Sequence, residues 1–351
     1  MAKIKIALGI EETTKESDIE QLVSAGADEF FCGIVPPEWA GVYGHYISIN
    51  KRYSPVNQFS SFEKLDKIIA KIHSLGKQVF VTFNSHYYTK EQMPYLEKCL
   101  LQTKQLGPDA LIVTNIGMLL FLKELNLGIK LHIGGDAGSY SARSAMFFKK
   151  LGVTRIKFPR DISLGDIKSV IDRTKQFGFE YEAFISEQRC PFSGVGCRNS
   201  HGMGCKDFCY IPWEKHPFCR LPADFDKDIG ENPDYDKLIP KPPVSFITKW
   251  KHNTSHYNMW IISGLFPSFT GRDNLIRECG LCAVGKLAEA GVNSLKVVSR
   301  GKTLKGKLAV LGLLNKVVNS PDASAGYCRG IRENPELCEL GYMCYYPEAR
   351  K

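Results

Sequence analysis

The sequence predicts an α/β fold made of repeated strand–helix units, and three observations predict it. Helical stretches of roughly 10–15 residues alternate with β-rich apolar runs of about 5–7, the pattern of parallel βα units. A short turn carrying Gly or Asp lies between each helix and the next strand. The strands number eight, which suggests a TIM-like (β/α)8 barrel; an open doubly wound sheet is the alternative, because a strand count does not establish closure.

The first strand is "KIKIALGI". The next seven follow the turns of "SAGADEFF", "SLGKQVFV", "QLGPDALIV", "NLGIKLHI", "KLGVTRIKF", "QFGFEYEAF" and, much later, "EAGVNSLKVV". In each, a Gly stands where the helix ends, because Gly enters the left-handed C-cap conformation without a Cβ penalty. Function then belongs at the carboxyl ends of the strands, where the βα loops converge. Two connections are long. Residues 35–59 carry five aromatics and read as a lid or substrate-contacting loop. Residues 186–278 separate the seventh strand from the last helix–strand pair. The expected organisation is thus seven βα units over 1–185, a Cys-rich insertion over 186–278, the last helix–strand–helix over 279–320, and a Cys-containing tail over 321–351.

A chain of 351 residues with 44% apolar content can bury a full core without covalent help. No stretch approaches the ~20 apolar residues of a membrane span, and "MAKIKIALGI" lacks the features of a signal peptide, so the expected location is the cytoplasm. In that reducing compartment cysteines rarely pair, and ten of the twelve fall between Cys190 and Cys344, which favours metal. The net charge of +9 suits a polyanion such as RNA, and equally a merely basic protein.

The strong signal is Cys190-x6-Cys197-x7-Cys205-x3-Cys209, followed by Cys219 and by Cys279-x2-Cys282. Thiolates are soft ligands for zinc or for an iron–sulfur cluster. Structural zinc sites usually pair tight C-x2–4-C knuckles, so these wide pairs suit a cluster better, with Gly194, Gly196, Gly202 and Gly204 letting backbone approach it. Cys32 and Cys99 read instead as small buried hydrophobes. His201 is a minor ligand candidate. Cys328, Cys338 and Cys344 could form a second metal site with Cys209, Cys219 or Cys282, or could be inert thiols. The acidic, Pro-rich stretch 222–243 reads as a solvated loop rather than a calcium site.

At the strand ends, His132, Asp136 and Asp161 could point into a barrel-mouth site, although Asp161 also suits a helix N-cap region. Asn84 and His86 in "FNSHYY" could orient a polar substrate, with surface histidine as the bland reading. "SRGKT" at 299–303 lacks the first Gly of a phosphate loop; a helix N-terminus there, with Arg300 and Lys302, can still hold a phosphate or carboxylate. No Ser–His–Asp or H-E-x-x-H pattern supports proteolysis.

Together "GADEFFCG", "LGVTRIKFPRDISLGDI", "EYEAFISEQRCPFSGVGC", "GMGCKDFC" and "EAGVNSLKVVSRGK" resemble the peptidase U thirty-two family over roughly residues 24–305. That family, first described as collagenase-like proteases, includes iron–sulfur proteins of oxygen-independent ubiquinone hydroxylation and of prephenate-dependent tRNA uridine hydroxylation. The resemblance implies a [4Fe–4S] cluster on Cys190, Cys197 and Cys205, with Cys279 favoured over Cys219 as fourth ligand, and zinc as the alternative metal. The candidate catalytic positions are therefore His86, Asp136 and Asp161, from their places at the strand ends, together with Lys296 and Arg300, which the family's run retains. Three departures stand out: Lys296-Val297-Val298-Ser299-Arg300 for the family's Lys-Ile-Glu-Gly-Arg, Ser186-Glu187 for His-Gly, and Gly134-Gly135-Asp136 for Ser-Thr-Gln. The expectation is an iron–sulfur enzyme that hydroxylates or otherwise modifies an RNA base or a small-molecule precursor. Its expected partners are tRNA or other RNA, a small carboxylate co-substrate such as prephenate, and a partner protein of the same family. The rivals are a zinc-stabilised RNA- or protein-binding module and a peptidase.

Overall fold

The eight β-rich runs become β1 (Lys5–Gly9), β2 (Glu29–Gly33), β3 (Gln78–Phe83), β4 (Ala110–Val113), β5 (Lys130–Ile133), β6 (Val153–Lys157), β7 (Glu180–Ser186) and β8 (Ser294–Val297). All neighbours pair in parallel, and β8 returns to β1 through Lys5↔Ser294, Ile6↔Leu295, Ala7↔Lys296 and Leu8↔Val297, which closes the barrel and excludes the open sheet. The computed structural model describes residues 4–44, 47–52, 55–187, 194, 195, 197, 278–332, 338 and 344–350. Cys190, Cys205, Cys209, Cys219, His201 and the stretch 222–243 lie outside the described residues.

The helices that follow the strands are α1 (Glu16–Ser24), α2 (Pro37–Tyr43), α3 (Phe62–Ser74), α4 (Met93–Gln105), α5 (Ile116–Leu125), α6 (Ala142–Lys150), α7 (Leu164–Thr174), α8 (Val284–Ala290), α9 (Leu304–Val318) and α10 (Ala325–Gly330). The turn glycines behave as their positions predict: φ lies between 66° and 100° at Gly26, Gly76, Gly107, Gly128, Gly152, Gly178 and Gly291. At Gly26 a side chain would also collide with Asn315, whose amide donates to the Ala25 carbonyl and ties α9 to the end of α1. No helix among the described residues is long and apolar enough to cross a membrane.

Strand side chains alternate between two environments. Ile6, Leu8, Phe30, Val79, Val81, Leu111, Val113, Ile133 and Leu295 belong to the large apolar core that also takes in the helices. Cys32 and Cys99 join that core as buried hydrophobes, and burial pushes both thiols up to about 12.

The barrel interior is split. Phe31, Phe80, Ala110 and Ile112 form a separate apolar cluster, while β6, β7 and β8 bring charge. Arg155 donates to Glu29 at 2.6 and 2.7 Å, to Glu180 at 2.7 and 2.9 Å and to Glu182 at 3.2 Å. Lys157 also donates to Glu182, and Lys296 does so at 3.2 Å. An ion network so fully paired is tolerable in a low-dielectric interior, but losing one member would strand the others.

The chain's last segment folds back onto β7. Cys279 bridges Ser186 on one side and Cys344 on the other, and the Tyr345 amide donates to the Cys279 carbonyl at 2.9 Å. The Tyr346 hydroxyl donates to the Phe184 carbonyl at 2.8 Å, and that of Tyr345 to the Glu187 carbonyl at 2.7 Å.

Candidate active site

At the carboxyl ends of the strands a pocket opens. Six cationic side chains line it, from Lys51, Arg52, Lys157, Arg160, Lys296 and Arg300, together with one carboxylate, that of Asp136. Phe31, Phe184, Ile112 and Val298 supply apolar wall, and Thr82, Asn84 and Thr114 supply neutral polar groups. The charge selects an anionic ligand.

Each charge is positioned by an identifiable element. Asp136 sits in the single turn Gly135–Ala137 just after β5, where it accepts from Arg160 at 2.6 Å and pairs with Lys51 at 3.3 Å. The two glycines before it permit the close approach: a Cβ at Gly134 would lie 2.5 Å from the Thr114 hydroxyl and one at Gly135 2.6 Å from the Phe158 carbonyl oxygen. Lys51 and Arg52 come from the long 35–59 connection, so that segment contributes to the pocket wall. Arg160 stacks over the Phe184 ring at 4.3 Å.

Lys296 and Arg300 dominate the electrostatics. Burial brings the Lys296 ammonium down to about 7, against the attraction of Glu182 and with the help of Lys157. Its Nζ lies 3.4 Å from the centroid of the Phe31 ring. Glu182 shows the complementary effect: burial would raise it, but Lys157, Lys296 and Arg155 hold it below the usual carboxylate range. Arg300 crosses Gly9, where a Cβ would meet its Cγ at 2.9 Å. Its Nε and Nη1 are buried and have no hydrogen-bond partner among the described residues. Burial, and next the charge of Arg52, lower its pKa well below the ordinary value. A guanidinium does not give up its proton, so this environment asks for an anion instead.

The other sequence candidates separate from this group. Asp161 is exposed and accepts from the Tyr140 hydroxyl; it does not line the pocket, and the N-cap of α7 is Ser163. His86 is half-buried outside the lining; burial, then Lys51, bring it down to about 4, and its Nε2 has no partner among the described residues. Asn84 does line the pocket, accepting from the Lys51 amide at 3.3 Å. His132 lies inside the barrel, edge-on to Phe80 at 4.6 Å, and is held neutral by burial and by Lys157. Lys302 turns away to pair with Glu187, so the two cations expected at the α9 N-terminus serve different places.

The first cysteine loop meets the pocket at Asp136. Gly194 packs so tightly on that carboxylate that a side chain there would collide with it, and Val195 contacts Gly138. The Cys197 amide donates to the Gly194 carbonyl at 3.2 Å, forming a turn that presents a half-buried thiol beside the barrel mouth.

Residues 15–326 match Peptidase family U32. The chain belongs to that family. It is 23% identical over 314 residues to tRNA hydroxylation protein P of Escherichia coli (strain K12), covering 82% of this chain and 65% of the relative. It is 26% identical over 184 residues to the 23S rRNA 5-hydroxycytidine C2501 synthase of the same organism, covering 52% and 27%. The chain thus spans less than two thirds of either relative. A solved U32 peptidase, Mk0906, aligns at 13% identity over 53% of this chain and 70% of its own, with a TM-score of 0.37.

Within this U32 chain, Glu187 directly follows the last residue of β7. It keeps the left-handed backbone, with φ of 70°, that a Gly would adopt freely. Pairing to Glu278 and the Tyr345 hydrogen bond hold it there, at the point where the chain leaves β7 towards Cys190. Cys279 lines a second cavity together with Cys282, Cys328, Cys338 and Cys344. Sequence reasoning missed Lys51, Arg52, Lys157, Arg160 and Glu182. A signal existed for two of them: "TRIK" and "EYEAF" place charges at alternate positions of apolar strands, the mark of side chains pointing into the barrel.

Proposed function

We propose that this U32 chain hydroxylates an RNA base in the cytoplasm, taking a small dicarboxylate such as prephenate into the cationic pocket at the barrel mouth. The observation that carries the proposal is the pairing of a buried, unsatisfied Arg300 and the adjacent Lys296 with a cysteine turn packed directly on Asp136. Relatives named for tRNA and 23S rRNA hydroxylation support an RNA substrate, as does the net charge of +9.

The donor chemistry of Cys190, Cys197 and Cys205 suits an iron–sulfur cluster, and of the three Cys197 is the one among the described residues, half-buried in the turn whose Gly194 packs on Asp136. When bound, a cluster with an open iron position supplies a Lewis acid or an electron carrier. The protein's own part is binding and charge control. Arg300 and Lys296 grip carboxylates, Phe31 and Phe184 wall the apolar body of the co-substrate, and the Asp136–Arg160–Lys51 triad fixes the floor beneath the cysteine turn.

The test is nucleoside mass spectrometry of total RNA from cells lacking the gene. A hydroxylated nucleoside should disappear, return with the wild-type gene, and fail to return with Arg300→Met or Cys197→Ser. An unchanged nucleoside profile on deletion would refute the proposal.

A further inference from the structure

Beside the carboxyl end of β7, and separate from the barrel-mouth pocket, a cavity is lined by five cysteines and three arginines. The thiols come from four places in the chain: Cys279 from the bridge to Ser186, Cys282 from the turn before α8, Cys328 from α10, and Cys338 and Cys344 from the tail. Glu348 ties the same tail to the barrel, its carboxylate accepting from the Leu164 amide at the start of α7 at 2.7 Å. We propose that Cys282, Cys328, Cys338 and Cys344 hold a second iron–sulfur cluster, with Cys279 as a fifth sulfur within reach.

Four features of the cavity argue for this. The donors are all sulfur, with no histidine or carboxylate in the lining, which selects a soft centre. The thiols come from separate segments, stand around the wall and are all free of disulfides. A cluster has each thiolate on a different iron, whereas a structural zinc gathers all four on one atom. Sulfur already receives N–H donors, from Arg332 Nη1 to Cys338 at 3.1 Å and from the Leu281 amide to Cys279 at 3.5 Å, the contacts that tune and hold cluster ligands. Lastly, Arg329, Arg332 and Arg350 crowd a wall of thiols, and the Arg329 Nε is buried without a partner among the described residues. Four thiolates around a dicationic cubane carry a net negative charge that these guanidiniums neutralise.

The full-length protein, purified without oxygen, decides the matter through iron, sulfide and zinc per chain, visible absorbance, and circular dichroism. Since Cys279 could replace any single ligand, the test variant is the double Cys328→Ser/Cys344→Ser. With clusters at both places the wild type should hold about eight irons, on the basis of four per cubane, and the tail variant about half. The complementary Cys190→Ser/Cys197→Ser variant leaves this cavity untouched and should also retain a brown, cubane-type spectrum, so the result does not hinge on the tail variant folding. A folded tail variant with its full iron content overturns the proposal, as does a folded, colourless Cys190→Ser/Cys197→Ser protein, or zinc accounting for the metal lost with the tail. Failure of the functional reading looks different: there the Cys190→Ser/Cys197→Ser variant loses no iron and the tail variant loses all of it, which leaves the second cluster standing.

Discussion

Two cavities flank β7, and they are built in opposite ways. The barrel-mouth pocket is made of charge and takes most of its side chains from strand ends and the first residues after them, so its geometry is fixed by the sheet. The cysteine cavity is made of sulfur and takes its side chains from a turn, a short helix and the tail. β7 serves both: Phe184 presents its ring to the pocket, and its carbonyl accepts from Tyr346 of the tail. Tyr345 also stacks on that ring, the centroids 6.2 Å apart. The second cavity is therefore assembled by returning the chain's end to one strand, chiefly through backbone carbonyls at and just beyond that strand.

The contrast is broken most severely from inside. Arg155→Ala would leave Glu29 buried without its main partner and take one of three cations from Glu182, and removing one member of such a network costs about 3–5 kcal/mol. Denaturant unfolding should show that loss; a change under about 1 kcal/mol would mean that the pocket does not depend on the charged half of the barrel. Next in size is Arg300→Met, which should weaken dicarboxylate binding in calorimetry by about 10- to 100-fold, as expected for losing charge-assisted hydrogen bonds, while unfolding stays nearly unchanged. Equal affinity in the variant would remove Arg300 from the site.

A third effect is read along pH. Lys296 loses its charge as pH rises through about 7, so anion affinity should fall several-fold from pH 6 to pH 8, and Lys296→Met should flatten the profile. The unfolded chain keeps that proton up to about 10.4, so between the two values the unfolded state binds more protons and stability rises with pH. A stability that falls over this range and is insensitive to Lys296→Met would contradict the assignment. Smallest is Tyr346→Phe, which deletes one tail-to-β7 hydrogen bond worth about 1 kcal/mol. Proteolysis should reach the tail sooner, with dicarboxylate affinity untouched; a matched loss of affinity would show that the two cavities are not independent.

Much of the architecture was legible because glycine and alternation write it locally. Each turn glycine announced a helix end, and the eight strands followed in order, but closure depended on β8 meeting β1, a contact across nearly the whole chain. Lys296 and Arg300 were legible as charges at the end of the eighth strand. Their neighbours were not, since Lys51 and Arg52 reach the pocket from a loop whose path no periodicity encodes. Asp161 illustrates the converse: two residues before the Ser163 cap it has the right sequence setting, yet it lies on the exposed rim. Cys282 was among the partners the sequence offered for the tail thiols, whereas the place of Cys279 beside them was hidden for the same reason as closure, because only the return of Tyr345 and Tyr346 to β7 brings them together.

The closing strand carries a consequence for how the chain reaches this state. Residues up to Ser186 complete seven strands, and β8 begins only at Ser294, after the whole cysteine-rich stretch. During synthesis at about 5–20 residues per second, β1 and β7 therefore remain unpaired edges for several seconds, each offering a full row of backbone groups to any other strand nearby. The Lys296 that later sits in the pocket arrives on the very strand that ends this exposure, so the last piece of the anion site and the removal of the barrel's aggregation hazard are one folding event.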